Sequence, residues 1–547
     1  MTRKTSLIAL LGYLALSFLL YGRGFGNGEI FQPGGDPIVY IWCLNWWPFA
    51  LSHGINPSVS DYIWNPTGFP MWWANSIPSL ALIFSPITLT LGAVRSWNII
   101  NLLTPALNAY ACFLLIRYLT KQTIPSFMAA LIFGFASYIT AQQLGHISLS
   151  LVPFVPMTVL LVVKRAAREL TRIAYITVMA SMAIVQFGIS TEVLASSAFF
   201  GLVAFLIFRG RYRNSHDLFG LATDTVIASV IAVLVLSPAL YYMAIGSKEL
   251  PSVINSPKMF SADLLNLLVP NPTIWLGGDS LQSLAARFTG NFSEQGAYIG
   301  IGILVILILA IRASAQERWS KPLWITLAVT AVCSLGPVLW FAGINTRIPL
   351  PWLIFTKVPI IRHALPTRFT LYVSLVIAIY IGIWLSISTG SRKARYAATL
   401  ASLLFLLPNP KWFAFGDVTT PAALSKLEVM QALGTNANAV VLPYGYLGNS
   451  MLWQLNSGMA FKMAGGYVGF VPQSQWKYKA MMYLYDAEQA PNQDSFNQAV
   501  AEFCASNRVT AIVLAPGASK YLATAVSNLP WPKDAYGDTT VVRVPNL

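Results

Sequence analysis

Apolar stretches of about bilayer-spanning length recur from the N-terminus to about residue 412, and they constrain this chain more than any motif in it. A helix needs roughly 20 predominantly apolar residues to cross a hydrocarbon core, and short polar punctuation separates the stretches at that spacing. Only 10% of the residues are charged and the mean hydropathy is +0.60, against roughly 25% charged residues in a soluble domain. An α-helical polytopic membrane protein is expected. The formal charge of +15 falls mainly in short loops between the stretches, where orientation signals sit, so it implies no nucleic-acid partner. Cys43, Cys112, Cys333 and Cys504 are scattered without metal-ligand or CxxC spacing, which argues against both a disulfide framework and a zinc site.

Thr2-Arg3-Lys4 precedes a long apolar run without a clear small-x-small cleavage site, so the first stretch reads as a retained helix with a cytoplasmic N-terminus. Spans near 5–22, 97–117, 124–141, 149–164, 173–190, 193–208, 222–245, 297–312, 322–341, 367–387 and 396–411 then keep the basic loops inside. Those loops carry Arg117/Lys121, Lys164/Arg165/Arg168/Arg172, Arg209/Arg211/Arg213, Arg312/Arg318/Lys321 and Arg392/Lys393/Arg395. This requires that 77–94, which contains Pro78 and Pro86, lie within the first outer loop rather than cross. The expected count is about eleven spans in a plasma (inner) membrane.

The expected organisation is a membrane domain over 1–412, with a long first outer loop at 23–96, followed by a small extracytoplasmic α/β domain over 413–547. Within the latter, 439–442, 510–514 and 539–544 read as strands and 495–506 as a helix. It shows neither a Gly-rich phosphate loop nor a nucleophile elbow.

The outer face carries the chemistry. Asp36, in Gly34-Gly35-Asp36-Pro37, precedes the aromatic run Tyr40-Ile41-Trp42-Cys43-Leu44-Asn45-Trp46-Trp47. An Asp-Pro pair suits a helix cap, and a fixed carboxylate also suits a general base. The aromatic run suits an interfacial helix, with Trp46 available to stack on a sugar. Asp61 is a second acid in the same loop, and His146 lies in the outer loop 142–148. Glu192 and Glu294 mark outer span ends. The segment 347–368 carries Arg347, Lys357, Arg362, His363 and Arg368 and has no acid. Placed outside against the positive-inside tendency, it suits a phosphate, whose oxygens a guanidinium fork matches.

A carboxylate base and a cationic segment on the outer side of a many-span protein point to glycosyl transfer from a polyprenyl-phosphate sugar. Asp36 would deprotonate the acceptor hydroxyl, and direct displacement would invert the anomeric configuration. The acceptor would be a glycan, lipid or protein of the cell envelope. No cofactor is required.

These residues resemble the GT-C superfamily of membrane glycosyltransferases, particularly the bacterial relatives of protein O-mannosyltransferases and the lipid A aminoarabinose transferase. The resemblance rests on Gly35-Asp36 after the first span, the long first loop, Gly145-His146 after the third span and the terminal soluble region. Glu294 with Tyr298-Ile299-Gly300, Leu335-Gly336-Pro337, and Arg362-His363-Ala364-Leu365-Pro366-Thr367-Arg368-Phe369 add to it. It covers most of 1–412 and implies that Asp36 is the catalytic base. Asp36-Pro37 replaces the Asp-Glu pair of the mannosyltransferases, and His146 stands where many relatives have an acid, so a divalent metal is not supported.

Two other classes compete. A transporter or lipid flippase would place ionisable residues at mid-span and show repeated halves, whereas the charges here sit at span ends and no internal repeat is visible. A non-catalytic envelope-assembly protein would use the terminal domain to bind a partner.

Overall fold

The computed structural model describes residues 3–211, 217–251, 255–358, 361–387 and 390–545. Thr2 and Arg213, both used above for orientation, lie outside the described residues. The chain divides into two compact units. The first comprises Met1–Phe25, Asn98–Leu236 and Asn255–Ala414, and the second Gly26–Trp97, Ser237–Ile254 and Phe415–Leu547. The first loop thus clusters with the C-terminal region, whereas the sequence reading grouped 23–96 with the membrane spans.

Among the described residues, six helices are long and apolar enough to cross a bilayer: Lys4–Tyr21, Ala93–Thr120, Ile147–Ala166, Thr191–Gly210, Leu218–Val235 and Pro366–Ser386. Thr123–Gly134, Arg172–Phe187 and Ile301–Ala313 are shorter apolar helices. Their surroundings differ in the way lipid exposure requires. Thr370–Ser386 is buried on nearly all sides, as expected of a helix apolar all round at the centre of a bundle. In contrast, Leu202, Leu206, Phe219, Val226 and Val230 are exposed, apolar side chains of the kind a bilayer covers. Asp224 is buried on such a helix, and Arg165 and Arg172 both bond its carboxylate, at 2.9 and 2.7 Å. These two basic residues therefore neutralise a buried acid besides marking orientation.

The stretch 77–94 forms two short helices, Pro78–Ile83 and Ser85–Leu91, each opened by its proline. Neither is of spanning length, and the two prolines read from the sequence sit where a missing N–H costs nothing. The expected span 322–341 ends early. The helix stops at Ser334, and the chain turns into a hairpin of Val338–Phe341 with Ile344–Pro349.

That hairpin shows how a loop is fixed in the first unit. Ala342 and Gly343 both have positive φ, 53° and 80°, the conformation a two-residue type I′ turn demands. A side chain at Gly343 would meet the Arg287 carbonyl at 2.2 Å, so only glycine fits. Asp263, buried, accepts the turn amides of Ala342 and Gly343 at 2.9 and 2.7 Å and the amide of Leu265 at 2.9 Å. Asp263→Ala strands these donors at roughly 1–3 kcal/mol for each that stays dry. Amide exchange of 338–349 is expected to accelerate sharply in that variant, while Thr370–Ser386 exchanges as before; unchanged hairpin protection would show that Asp263 does not hold the turn.

The second unit is built on a five-stranded sheet. Its order is Lys533–Tyr536, Thr539–Arg543, Ala511–Leu514, Asn438–Leu442 and Lys462–Met463, the first two pairings antiparallel and the last two parallel. Asn438–Leu442 is buried throughout, as a central parallel strand should be. Three of these strands and the helix Gln493–Ser506 match the elements expected from periodicity. The first loop is tied to the same sheet edge: Trp64 N–H bonds the Gly465 carbonyl, Asn65 N–H the Met463 carbonyl, and Met463 N–H the Tyr62 carbonyl, at 2.8–3.0 Å. Backbone bonding of this kind explains why 26–97 clusters with the C-terminal region.

Candidate active site

Asp36 opens the helix Asp36–Ser52. Gly35 occupies the cap position and Pro37 follows inside the first turn, so the carboxylate is not the cap that the Asp-Pro pair suggested. It lies in the first turn instead, where the helix dipole favours its negative form. Its carboxylate accepts a hydrogen bond from the Tyr467 hydroxyl at 2.7 Å. Burial first, and then the charge of Asp36, hold the Tyr467 phenol well above its ordinary range. Tyr467 therefore stays protonated and donates across physiological pH, so the Asp36–Tyr467 contact does not break by phenol ionisation near neutrality.

A small cleft adjoins this pair, lined by Gly35, Ile38, Val39, Gly445, Tyr446 and Tyr467 among others. Its free space is about 10 Å³, roughly what one water molecule needs.

The aromatic run departs from expectation. Trp42, Trp46 and Trp47 are buried, and their indole N–H groups are satisfied internally. Trp42 donates to Gln454, Trp46 to the Pro57 carbonyl and Trp47 to the Ser76 carbonyl, at 2.8, 3.0 and 3.1 Å. Trp46 stacks on Trp42 at 5.3 Å between centroids, so its face is not available to a sugar. The spacing that looked interfacial belongs to a core helix of the second unit. Asp61, also in this unit, pairs with Lys462; both are partly exposed, and such a pair contributes about 0–1 kcal/mol.

In the first unit, His146, Glu294 and Arg368 are brought together. His146 Nδ1 bonds Gln142 Oε1 at 2.7 Å, and Gln142 Nε2 donates to Glu294 Oε2 at 3.2 Å. Arg368 Nε donates to both Glu294 oxygens at 3.0 and 3.1 Å, and its terminal nitrogens bond Glu294 and Glu192. Arg368 is largely buried, Glu294 almost wholly so. The sequence reading placed Arg368 among phosphate-binding cations, but two carboxylates already occupy its guanidinium. Arg347, Lys357 and Arg362 are exposed and keep the cationic character of the segment. Arg362 Nε donates to His363 Nε2 at 3.1 Å. Burial, and secondarily Arg362, lower the His363 pKa from its ordinary value, leaving the ring neutral at pH 7.

Among the described residues, no group of three or more His, Cys, Asp and Glu side chains is placed to hold a metal ion.

A family model matches residues 11–416, described as "Domain of unknown function (DUF6311)". The chain belongs to the DUF6311 family. No functionally curated protein is matched by sequence. By structure, this DUF6311 protein is similar to the apo oligosaccharyltransferase of Archaeoglobus fulgidus, with a TM-score of 0.54 and 12% identity, covering 94% of this chain and 70% of that one. The same organism's oligosaccharyltransferase AglB, in complex with an inhibitory peptide and a dolichol-phosphate, gives a TM-score of 0.51 at 12% identity over 93% and 69%. Apo ArnT from Cupriavidus metallidurans gives 0.50 at 12% identity over 98% of both chains. The DUF6311 protein has the GT-C fold, as the sequence resemblance implied.

Sequence reasoning missed Tyr467 and the aromatic residues near it. The tyrosines at 444, 446, 467 and 485 and Trp476 make a visible aromatic enrichment in the terminal region, and that was the available signal.

Proposed function

We propose that this protein is an inverting glycosyltransferase that moves a sugar from a polyprenyl-phosphate donor to a cell-envelope acceptor on the outer face of the plasma membrane. The observation that carries the reading is the Asp36 carboxylate, fixed in a first helical turn, bonded by a protonated tyrosine and bordering a cleft, within a GT-C fold. As the acceptor oxygen attacks the anomeric carbon, its proton passes to Asp36, and the bond from that carbon to the phosphate oxygen breaks. The electron pair leaves on the lipid phosphate. One base and one displacement give inversion. The topology that goes with this reading has about eleven spans, with residues 413–547 outside. The AglB structure is a complex with an inhibitory peptide and a dolichol-phosphate, which supports a lipid-phosphate donor here.

The test is transfer by the purified protein from a panel of radiolabelled polyprenyl-phosphate sugars, with the anomeric configuration of the product determined. Inverted product supports the reading; retained configuration, or substrate movement across sealed vesicles without any covalent product, overturns it.

The exposed cations Arg347, Lys357 and Arg362 are proposed to contact the donor phosphate, with His363 beside them. Because the His363 pKa is lowered, the ring gains its charge only below the ordinary histidine range near ~6.5. The donor KM is therefore expected to fall as the pH drops below that range, and His363→Ala to remove the dependence. A donor KM equally pH-dependent in His363→Ala would exclude this residue from phosphate binding.

A further inference from the structure

The connection between the helices Ser320–Ser334 and Thr370–Ser386 is built unlike an aqueous loop. Ser320–Ser334 has 15 residues, about 22 Å of helix against a hydrocarbon core of ~30 Å, so the chain leaves this helix before it has crossed. Past the hairpin, Pro351–Lys357 forms a 3₁₀ helix. Its inward rings pack on a spanning helix well below that helix's end: Trp352 and Phe355 meet the Phe199 ring edge-on, at 5.7 and 5.3 Å between centroids. Phe199 is eight residues into Thr191–Arg211, about 12 Å along the axis from Thr191. Leu202 and Leu206 follow it at i+3 and i+7, on the same stripe, and both are exposed. The 3₁₀ helix thus sits on the lipid-facing stripe of a spanning helix.

Its outward side chains are apolar as well. Ile354 is 71% exposed and Leu353 41%, and Ile348 just before them is 52% exposed. In water such a cluster is a liability; among acyl chains it is not. Pro349 and Pro351 carry no backbone donor, and neighbouring N–H groups are bonded within the connection. Leu350 N–H bonds the Pro337 carbonyl at 3.0 Å, Leu353 N–H the Leu350 carbonyl at 2.9 Å and Val358 N–H the Phe355 carbonyl at 3.1 Å. The Thr356 hydroxyl donates to the Leu353 carbonyl at 2.7 Å. Backbone at hydrocarbon depth needs internal partners of this kind. Arg347 and Lys357, both exposed, flank the apolar residues, and long cationic side chains reach from such positions to lipid phosphates.

We propose that residues 348–358 are a re-entrant element seated in the outer leaflet, its partner the acyl chains of the bilayer lipids, with Arg347 and Lys357 at the level of their phosphates. Continuity singles out lipid as the occupant, because Leu353 and Ile354 extend the apolar surface that Leu202 and Leu206 begin. This goes beyond glycosyl transfer and takes from the proposed topology only which leaflet is the outer one. Seated there, the element holds two cations at the depth where a lipid-linked donor presents its phosphate.

Site-directed spin labelling of the full-length protein tests this, in nanodiscs of phosphatidylcholine and phosphatidylglycerol with no polyprenyl phosphate added. The four native cysteines are buried, so the nitroxide goes to the introduced one. Labels at Ile354→Cys and Leu353→Cys, read independently, are expected to be relaxed strongly by oxygen, which concentrates among acyl chains, and weakly by a water-soluble nickel chelate. A label at Leu206→Cys is the lipid reference. Leu427, in the second unit, is 94% exposed, and a label at Leu427→Cys is the aqueous reference, with the opposite preference. Wild-type melting temperatures establish that the labelled proteins are folded. Labels at 353 and 354 that follow the aqueous reference overturn the assignment. So does shielding from both reagents, the sign of a protein partner such as a second copy. Oxygen preference that appears only after polyprenyl phosphate is added gives the surface to the donor and overturns it too. Depth is read without substrate turnover, so the result stands apart from whether Asp36→Asn is active.

Discussion

Asp36→Asn is expected to lower the turnover of sugar transfer by ~10²–10⁴-fold, the usual contribution of a positioned general base. The amide keeps the size of the carboxylate and can still meet the Tyr467 hydroxyl through its carbonyl oxygen, so the helix start and the melting temperature should be preserved. What it loses is the capacity to take up a proton as the acceptor oxygen attacks. The loss should therefore appear in kcat, with donor KM little changed. Tyr467→Phe should act in the same place but more weakly, by about tenfold, the lower end of what one hydrogen bond to a charged group contributes. Removing a donor that favours the ionised carboxylate should also move the acid limb of the pH–rate profile to higher pH. A fully active Asp36→Asn protein would remove Asp36 from the mechanism.

Arg368→Met is expected to destabilise the first unit by roughly 3–5 kcal/mol, the cost of leaving a buried charge without its partner. Glu294 is almost fully buried and Arg368 largely so, and Glu192 faces the same guanidinium. With the arginine gone, two carboxylates confront each other at the end of apolar helices. The melting temperature in detergent should fall markedly, and Glu294→Gln in the Arg368→Met background should recover part of the loss by removing one charge. Arg368→Lys should be intermediate, because a point charge cannot bridge two carboxylates as a planar fork does. An Arg368→Met protein that melts with the wild type would show the cluster to be dispensable for stability.

Much of the fold was legible because its signals are local. Span-length apolar runs, the prolines at 78 and 86, and the β-rich runs around 440, 512 and 541 each carry their meaning within a few residues. Errors arose where one local signal has two structural meanings. The apolar residues Val338-Leu339-Trp340-Phe341 extended a helix pattern in the sequence, yet they form a hairpin strand, and Gly336-Pro337 before them and Ala342-Gly343 after them were the available cues. Aromatic spacing over 40–47 fits an interfacial helix as well as a core one, and the partners that decide it, such as Gln454 for Trp42, are hundreds of residues away. The site was legible only in its charged residues. Asp36 stood out because carboxylates are rare in this chain, whereas Tyr467 was one tyrosine among 23.

The Asp36–Tyr467 bond joins residues 431 positions apart, and the edge of the sheet that presents Tyr467 comes from the last quarter of the chain. During synthesis, the helix Asp36–Ser52 therefore exists long before the phenol that meets it. Such distant pairings form late in folding because a long loop must close first. A nascent chain halted before residue 445 carries the carboxylate without its donor and without the cleft wall supplied by 445–451. On the proposed reading, competence is thus withheld until the segment around Tyr467 has been made and has folded onto the helix Asp36–Ser52.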